Sequence, residues 1–269
     1  MAWWRQKKVW LIITLIVVAV LVLIFGVANK KLASSINKSQ PSEAAVDEQS
    51  LPKFIQADWI DLQYVASISK FRSAMGRGYP DKHEECRSMK HYFNLIYDRK
   101  NFPYSPGGPL VPPPDPGTGI AIYSPVDGTI TKIEGEGDFG DQIFLRPQSH
   151  RQFTLRLFHI YPRPGLTSGM TVKAGEKIGE IRRDQNTDIA VELKSFTSVR
   201  FISFFEVMPD SVFVAYETRG ITSPDQLIIS KEARDAKPLE CQGDRFVKNY
   251  QSDPAYADEV VNLQENSVQ

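Results

Sequence analysis

GIAIYSPVDGTITKIEGEGDFGDQIFLRPQSHRQFTLRLFHIYPRPGLTSGMTVKAGEKIGEIRRDQNTDIAVEL, residues 119–193, is the stretch whose reading decides the fold. Within it and just beyond lie short runs rich in β-branched and apolar residues: GIAIY, GTITKI, QIFLRP, FTLRLFHI, MTVKAG, KIGEI, DIAVEL and VRFISFFEV. Turn signals such as Asp127-Gly128 and Ala174-Gly175 separate them. Short strands at this spacing predict a mainly β domain, a sandwich or barrel, over residues 119–208.

Upstream, residues 102–118 are crowded with prolines, which neither a helix nor a central strand tolerates. They read as a stiff connector. Residues 53–101 read as a helical flanking segment, because Cys86, Met89, Phe93 and Ile96 recur at steps of three and four between His83 and Tyr97. Downstream, residues 209–249 also read as helical: Pro209 and Asp210 open a helix that Gly220 closes, and Ser223-Pro224-Asp225 caps a second with proline at its first position. Residues 250–269 read as a frayed polar tail.

Val9 to Ala28 is a run of 20 residues without a charge. At about 1.5 Å of rise per residue it spans a hydrocarbon core about 30 Å thick, so it predicts a transmembrane helix. The rival reading is a cleaved secretory signal, given Arg5, Lys7 and Lys8 before the run and Gly26-Val27-Ala28 at its end; the run exceeds the usual length of such a signal. Either reading places the folded part outside the cytoplasm. Lys and Arg favour a cytoplasmic amino terminus over residues 1–8, with Lys30 and Lys31 as counterweight. Residues 29–52, polar and aperiodic, form a tether. Lys plus Arg number 32 and Asp plus Glu 32, a balance that argues against a nucleic-acid partner. Cys86 and Cys241 are the only cysteines, lack a metal-type spacing, and are expected to form a disulfide in an oxidising compartment.

Residues 119–193 resemble the duplicated hybrid motif of the lysostaphin-type zinc endopeptidases. The resemblance rests on Pro125-Val126-Asp127-Gly128, the interval from His150 to His159, the Val172 to Gly179 turn and the closing strand around Glu192. In that family a His and an Asp before the turn strand, with the second His of a closing His-x-His, hold zinc and leave one position open for water. Aligned on Glu192, the position of the closing ligand is Ala190, and no histidine stands between Lys100 and Gly128, where Asp115 is the stray carboxylate. His159 stands where the family has an additional catalytic histidine.

The resemblance therefore implies a peptidase-like domain with no catalytic residues, no metal ligands and no cofactor. Its inherited groove offers His150, His159 and Glu192 as candidate contacts, with Tyr123, Phe144 and Phe158 as lining. The expected partners are the lipid bilayer through residues 9–28 and a cell-wall polymer or an envelope enzyme. Four alternatives stay open. One is a hydrolase with a metal site rebuilt on His150 and His159. Another is a biotinyl or lipoyl carrier, for which Lys194 lacks the flanking methionines of the biotinyl type. A phosphotransferase-type carrier would use His159 without a second histidine nearby. The last is a purely structural surface protein. His83 and Cys86 offer a further, incomplete pair of metal ligands.

Overall fold

The computed structural model describes residues 51–96, 114–115, 117–195 and 198–265. The transmembrane run 9–28, nearly all of the tether and most of the proline-rich connector lie outside the described residues. Among the described residues, no helix is long and apolar enough to cross a membrane.

The fold is mainly β. Its strands are Val65–Ser69 (β1), His91–Leu95 (β2), Ile120–Tyr123 (β3), Gly128–Gly135 (β4), Asp141–Pro147 (β5), Phe153–Pro162 (β6), Thr171–Val172 (β7), Lys177–Ile181 (β8), Thr187–Lys194 (β9), Val199–Ile202 (β10), Cys241–Gln242 (β11), Arg245–Phe246 (β12) and Val260–Asn262 (β13). Each of the eight apolar runs read from the sequence contributes one of the strands β3 to β10. The large sheet is antiparallel, in the order β13-β1-β2-β9-β6-β5-β4-β7, with β10 beside β9 and β8 linking β3 to β6. Strands β11 and β12 form a separate hairpin. Leu155, Leu157, Ile189 and Val191 point to the core of this sheet and are fully buried.

The two turn motifs of the 119–193 stretch meet in space. Asp127 accepts from the Ala174 backbone N–H at 2.9 Å and pairs with the Lys173 ammonium at 3.1 Å, and Gly175, at φ 76°, donates its N–H to the Ser124 carbonyl. A carboxylate satisfying a tight turn's exposed donor fixes how the two hairpins stack.

Over its described part, residues 53–96, the flanking segment is not helical. Among these residues Leu62–Tyr64 forms a short 3-10 turn, and residues 91–95 form strand β2. His91, Phe93 and Leu95 are buried while Tyr92 and Asn94 are half-buried, the period of two that a sheet imposes. Met89 and Phe93 satisfied the helical spacing by coincidence, and Ile96, expected on the same buried face, is 54% exposed. Cys86 sits in a loop at φ 51° and still bridges to Cys241, with Cα atoms 5.5 Å apart.

After β10, a 3-10 turn over Phe204–Val207 leads to the helices Asp210–Glu217 (α1) and Lys231–Ala236 (α2), the second capped by Ser230, whose hydroxyl accepts from the Ala233 N–H. The polar tail is not frayed over its described part. Tyr250 and Leu263 are buried, and β13 pairs along the edge of β1, whose backbone groups would otherwise lack partners. Arg234, 1% exposed, holds Glu259, and Glu259 also accepts the Ala74 N–H at 2.6 Å. One carboxylate of the tail, Glu259, is thus spent inward.

Candidate functional site

Strands β6 and β9 run side by side, with Arg156 opposite Ala190 and Thr154 opposite Glu192. Their outward face carries Arg156, Phe158, Asp188, Ala190 and Glu192 in place of the aliphatic residues of the inner face, since alternate residues point to opposite sides. The flanking segment covers part of this face with Tyr79, Met89 and Lys90.

At the upper end of β6 the strand bulges. The pairing with β5 shifts between Asp141 and Ile143, and His159 adopts φ 63°, a left-handed conformation uncommon for a residue with a side chain. Gly140 makes this possible, because a Cβ there would lie 2.7 Å from the Ile160 carbonyl oxygen. The bulge re-aims the imidazole sideways. Its Nδ1 lies 3.1 Å from Glu136 and its Nε2 3.2 Å from Asp188 Oδ1, while the His159 backbone N–H also donates to Glu136 at 2.9 Å. Burial alone would lower the imidazole pKa, but the hydrogen bonds and charges of Asp188 and Glu136 prevail and raise it to about 9.

Asp188 is 1% exposed and bound from its other side by the Lys90 ammonium, itself 9% exposed. That ammonium lies 4.1 Å from the centre of the Phe158 ring, 4.8 Å from Tyr92 and 5.0 Å from Tyr79. Burial opposes ionisation of the Asp188 carboxyl, yet Lys90 and His159 hold it below the usual carboxylate range. Further along, Arg156 donates to Glu192 at 2.9 Å and to Gln142 at 3.1 Å, and its guanidinium stacks 4.7 Å from Phe144.

Next to Arg156 opens a groove of about 600 Å³ lined by Tyr79, Lys82, Lys194, Val199 and Phe201 among others. The one carboxylate at its wall, Asp81, is consumed by the backbone N–H groups of His83, Glu84 and Phe201. Lys82 and Lys194 at its mouth are exposed, Lys194 lying 3.8 Å from Glu192, above the rings of Tyr79 and Phe201.

The candidates from sequence separate accordingly. His159 and Glu192 both sit on this face. His150 does not: it stacks on Phe54 at 5.2 Å in the turn before β6, and the strand from Phe153 to His159 alone spans about 20 Å. His150 and His159 therefore cannot share a metal. Phe144 and Phe158 line the face, whereas Tyr123 lines a different hollow beside Asp58 and Arg219. The Cys86 thiol is in the disulfide, which leaves His83 without its supposed co-ligand. His91, unremarked in the sequence, is fully buried between the Ser69 carbonyl and the Ser203 hydroxyl, and burial pushes its pKa down to about 4.

Zinc fits poorly to the residues present. Ala190, 1% exposed, belongs to an apolar cluster with Phe71, Met89, Phe158 and Phe201, so the position that the sequence resemblance aligns with a ligand is packed with carbon. Among the described residues, no group of three or more His, Cys, Asp or Glu side chains could hold a metal ion.

No protein-family model matches the chain. No curated protein matches it either. Solved structures do share partial likeness. Lysostaphin is 13% identical over 49% of this chain and 51% of its own, with a TM-score of 0.29. A zinc-containing peptidase from Vibrio cholerae is 14% identical over 57% and 38%, with a TM-score of 0.31. Csd3 of Helicobacter pylori is 14% identical over 78% and 47%, with a TM-score of 0.37. The chain thus spans about half or less of the length of each, and likeness this weak says nothing of function.

Proposed function

We propose that this chain is a membrane-anchored, extracytoplasmic protein whose peptidase-like β-domain binds an anionic cell-envelope polymer without cleaving it. The observation that carries the reading is Ala190: the position at which the resemblance puts a metal ligand is buried in an apolar cluster, with Arg156 opposite it on β6. A chain that cannot hold the metal has no activated water to attack a peptide bond.

Binding is supported by the groove beside Arg156, with Lys82 and Lys194 at its mouth and Tyr79 and Phe201 beneath. Carboxylates or phosphates along a sugar or peptide polymer would meet the cations while the rings stack on its apolar faces. The disulfide supports an oxidising compartment, and the apolar run 9–28 supports the anchor.

Co-sedimentation of the full chain in detergent with purified wall polymer tests this reading. The Lys82→Ala/Lys194→Ala double variant is expected to weaken retention by about tenfold, equivalent to about 1.4 kcal/mol, with the polymer recovered uncut. Equal retention of both proteins, or release of polymer fragments by the unaltered chain, would reject it.

A further inference from the structure

We infer that Lys90 and Asp188 are joined by an intramolecular amide bond, a covalent cross-link between the strand segment at β2 and strand β9. The placement is that of reactants already assembled. Asp188 opposes Tyr92 in the β2–β9 ladder, and Lys90, two residues before Tyr92, projects from the same face. The lysine and carboxyl groups are in contact, 9% and 1% exposed, with the rings of Phe158, Tyr92 and Tyr79 around the nitrogen.

As an ion pair this arrangement carries a desolvation cost that its partners must offset. Removing two charges from water costs several kcal/mol per ion, and a buried pair often does no better than well-packed apolar side chains. Condensation removes both charges at once. Holding the two groups together in a dry site also supplies the proximity that makes amide formation effectively unimolecular.

The site contains the acid–base group such a step needs. Lys90 first passes one proton to the Asp188 carboxylate; the resulting amine attacks the carboxyl carbon, a C–N bond forms, and one C–O bond breaks. The ammonium begins with three protons and the amide keeps one. The other two leave on the departing oxygen as water, one passed directly and one through His159, whose Nε2 is 3.2 Å from Oδ1. Charges cancel and no oxidant, cofactor or activated donor is required. Glu136, 3.1 Å from the other ring nitrogen, holds the imidazole in place, and the side chains of His159 and Glu136 are 28% and 22% exposed, so the released water has an exit on that side. The strained backbone at His159 is then explained by the aim it gives the ring.

Peptide mapping decides the matter and does not depend on how well a variant folds. Full-length protein is denatured, reduced and digested with trypsin. The bond predicts one branched peptide joining residues 88–99 to residues 184–194, lighter than their sum by one water, with no cleavage after Lys90. Lys90→Arg, which keeps the positive charge, and Asp188→Ala are both expected to yield only linear peptides. His159→Gln is expected to leave a mixture in which the linear form dominates in freshly made protein and declines with time. Recovery from the unaltered chain of linear peptides alone, cleaved after Lys90, would overturn the inference. So would a branched peptide that persists in Asp188→Ala, because its second attachment point would then lie elsewhere.

Discussion

The two faces of strands β6 and β9 have opposite characters. Inward, Leu155, Leu157, Ile189 and Val191 form an ordinary aliphatic core with no exposure to solvent. Outward, between the same backbone atoms, stand Arg156, Phe158, Asp188, Ala190 and Glu192, and the flanking segment adds Lys90 to them. The inner face requires only shape and apolarity, so it preserves a fold whatever the outer face does. The outer face sets specific polar and charged groups at specific positions, and at Ala190 it offers only a methyl group. Core packing and site chemistry therefore impose separate requirements on the same two strands.

The largest expected effect probes what ties the flanking segment over the outer face. Cys86 and Cys241 close a loop of 155 residues. In the chain-entropy model such a closure is worth about 4–5 kcal/mol. Reduction is expected to lower the denaturant midpoint accordingly, and an unchanged midpoint in reductant would show that the segment is held by packing alone.

Adjacent residues on β9 sharpen the contrast next. Ile189→Ala empties a fully buried core position and is expected to cost about 2–5 kcal/mol. Ala190→His overfills the outer apolar cluster, costs about 1–3 kcal/mol, and gains no zinc. Denaturant titrations of the two variants, the second with and without zinc, check both. Zinc-dependent stabilisation of the Ala190→His variant would mean that other ligands are already in place.

The smallest effect lies away from both faces, at Asp58 beside Tyr216. Burial raises this carboxyl from 3.8 to about 6, against a lowering contribution from Tyr216. The folded state then binds the proton more tightly than the unfolded state, so stability falls as pH rises from about 4 to about 6 and is level above that. Asp58→Asn is expected to be more stable than the unaltered protein by about 1–2 kcal/mol at pH 7, with the difference closing below pH 4. A difference independent of pH would reject the titration of Asp58 as its cause.

The eight apolar runs were legible because strands leave a dense local signature of β-branched residues, alternation and turn dipeptides. The meeting of Asp127 with Ala174 was foreshadowed by the two turn motifs that carry them. The segment from His83 to Tyr97 was misread because Met89 and Phe93 fit a period of four and a buried strand equally well; only Ile96, at 54% exposure, breaks the tie, and its exposure is a tertiary fact. The tail was misread for a similar reason: Glu259 looks solvated until Arg234 is found beside it. Of the site, His159 and Glu192 were visible through the motif. Asp188 had a local signal, a carboxylate within the apolar run DIAVEL, whereas Lys90 and Glu136 arrive from distant segments and announce nothing in sequence.

On the proposed reading, this β-domain folds without the metal chemistry of the lysostaphin-type peptidases. Elemental analysis of the purified full chain, loaded with excess zinc and then dialysed against a weak chelator, tests it most directly. The prediction is far less than one zinc per chain and no wall-peptide cleavage at any zinc concentration. One tightly held equivalent, whose removal abolishes cleavage and whose return restores it, would contradict the claim.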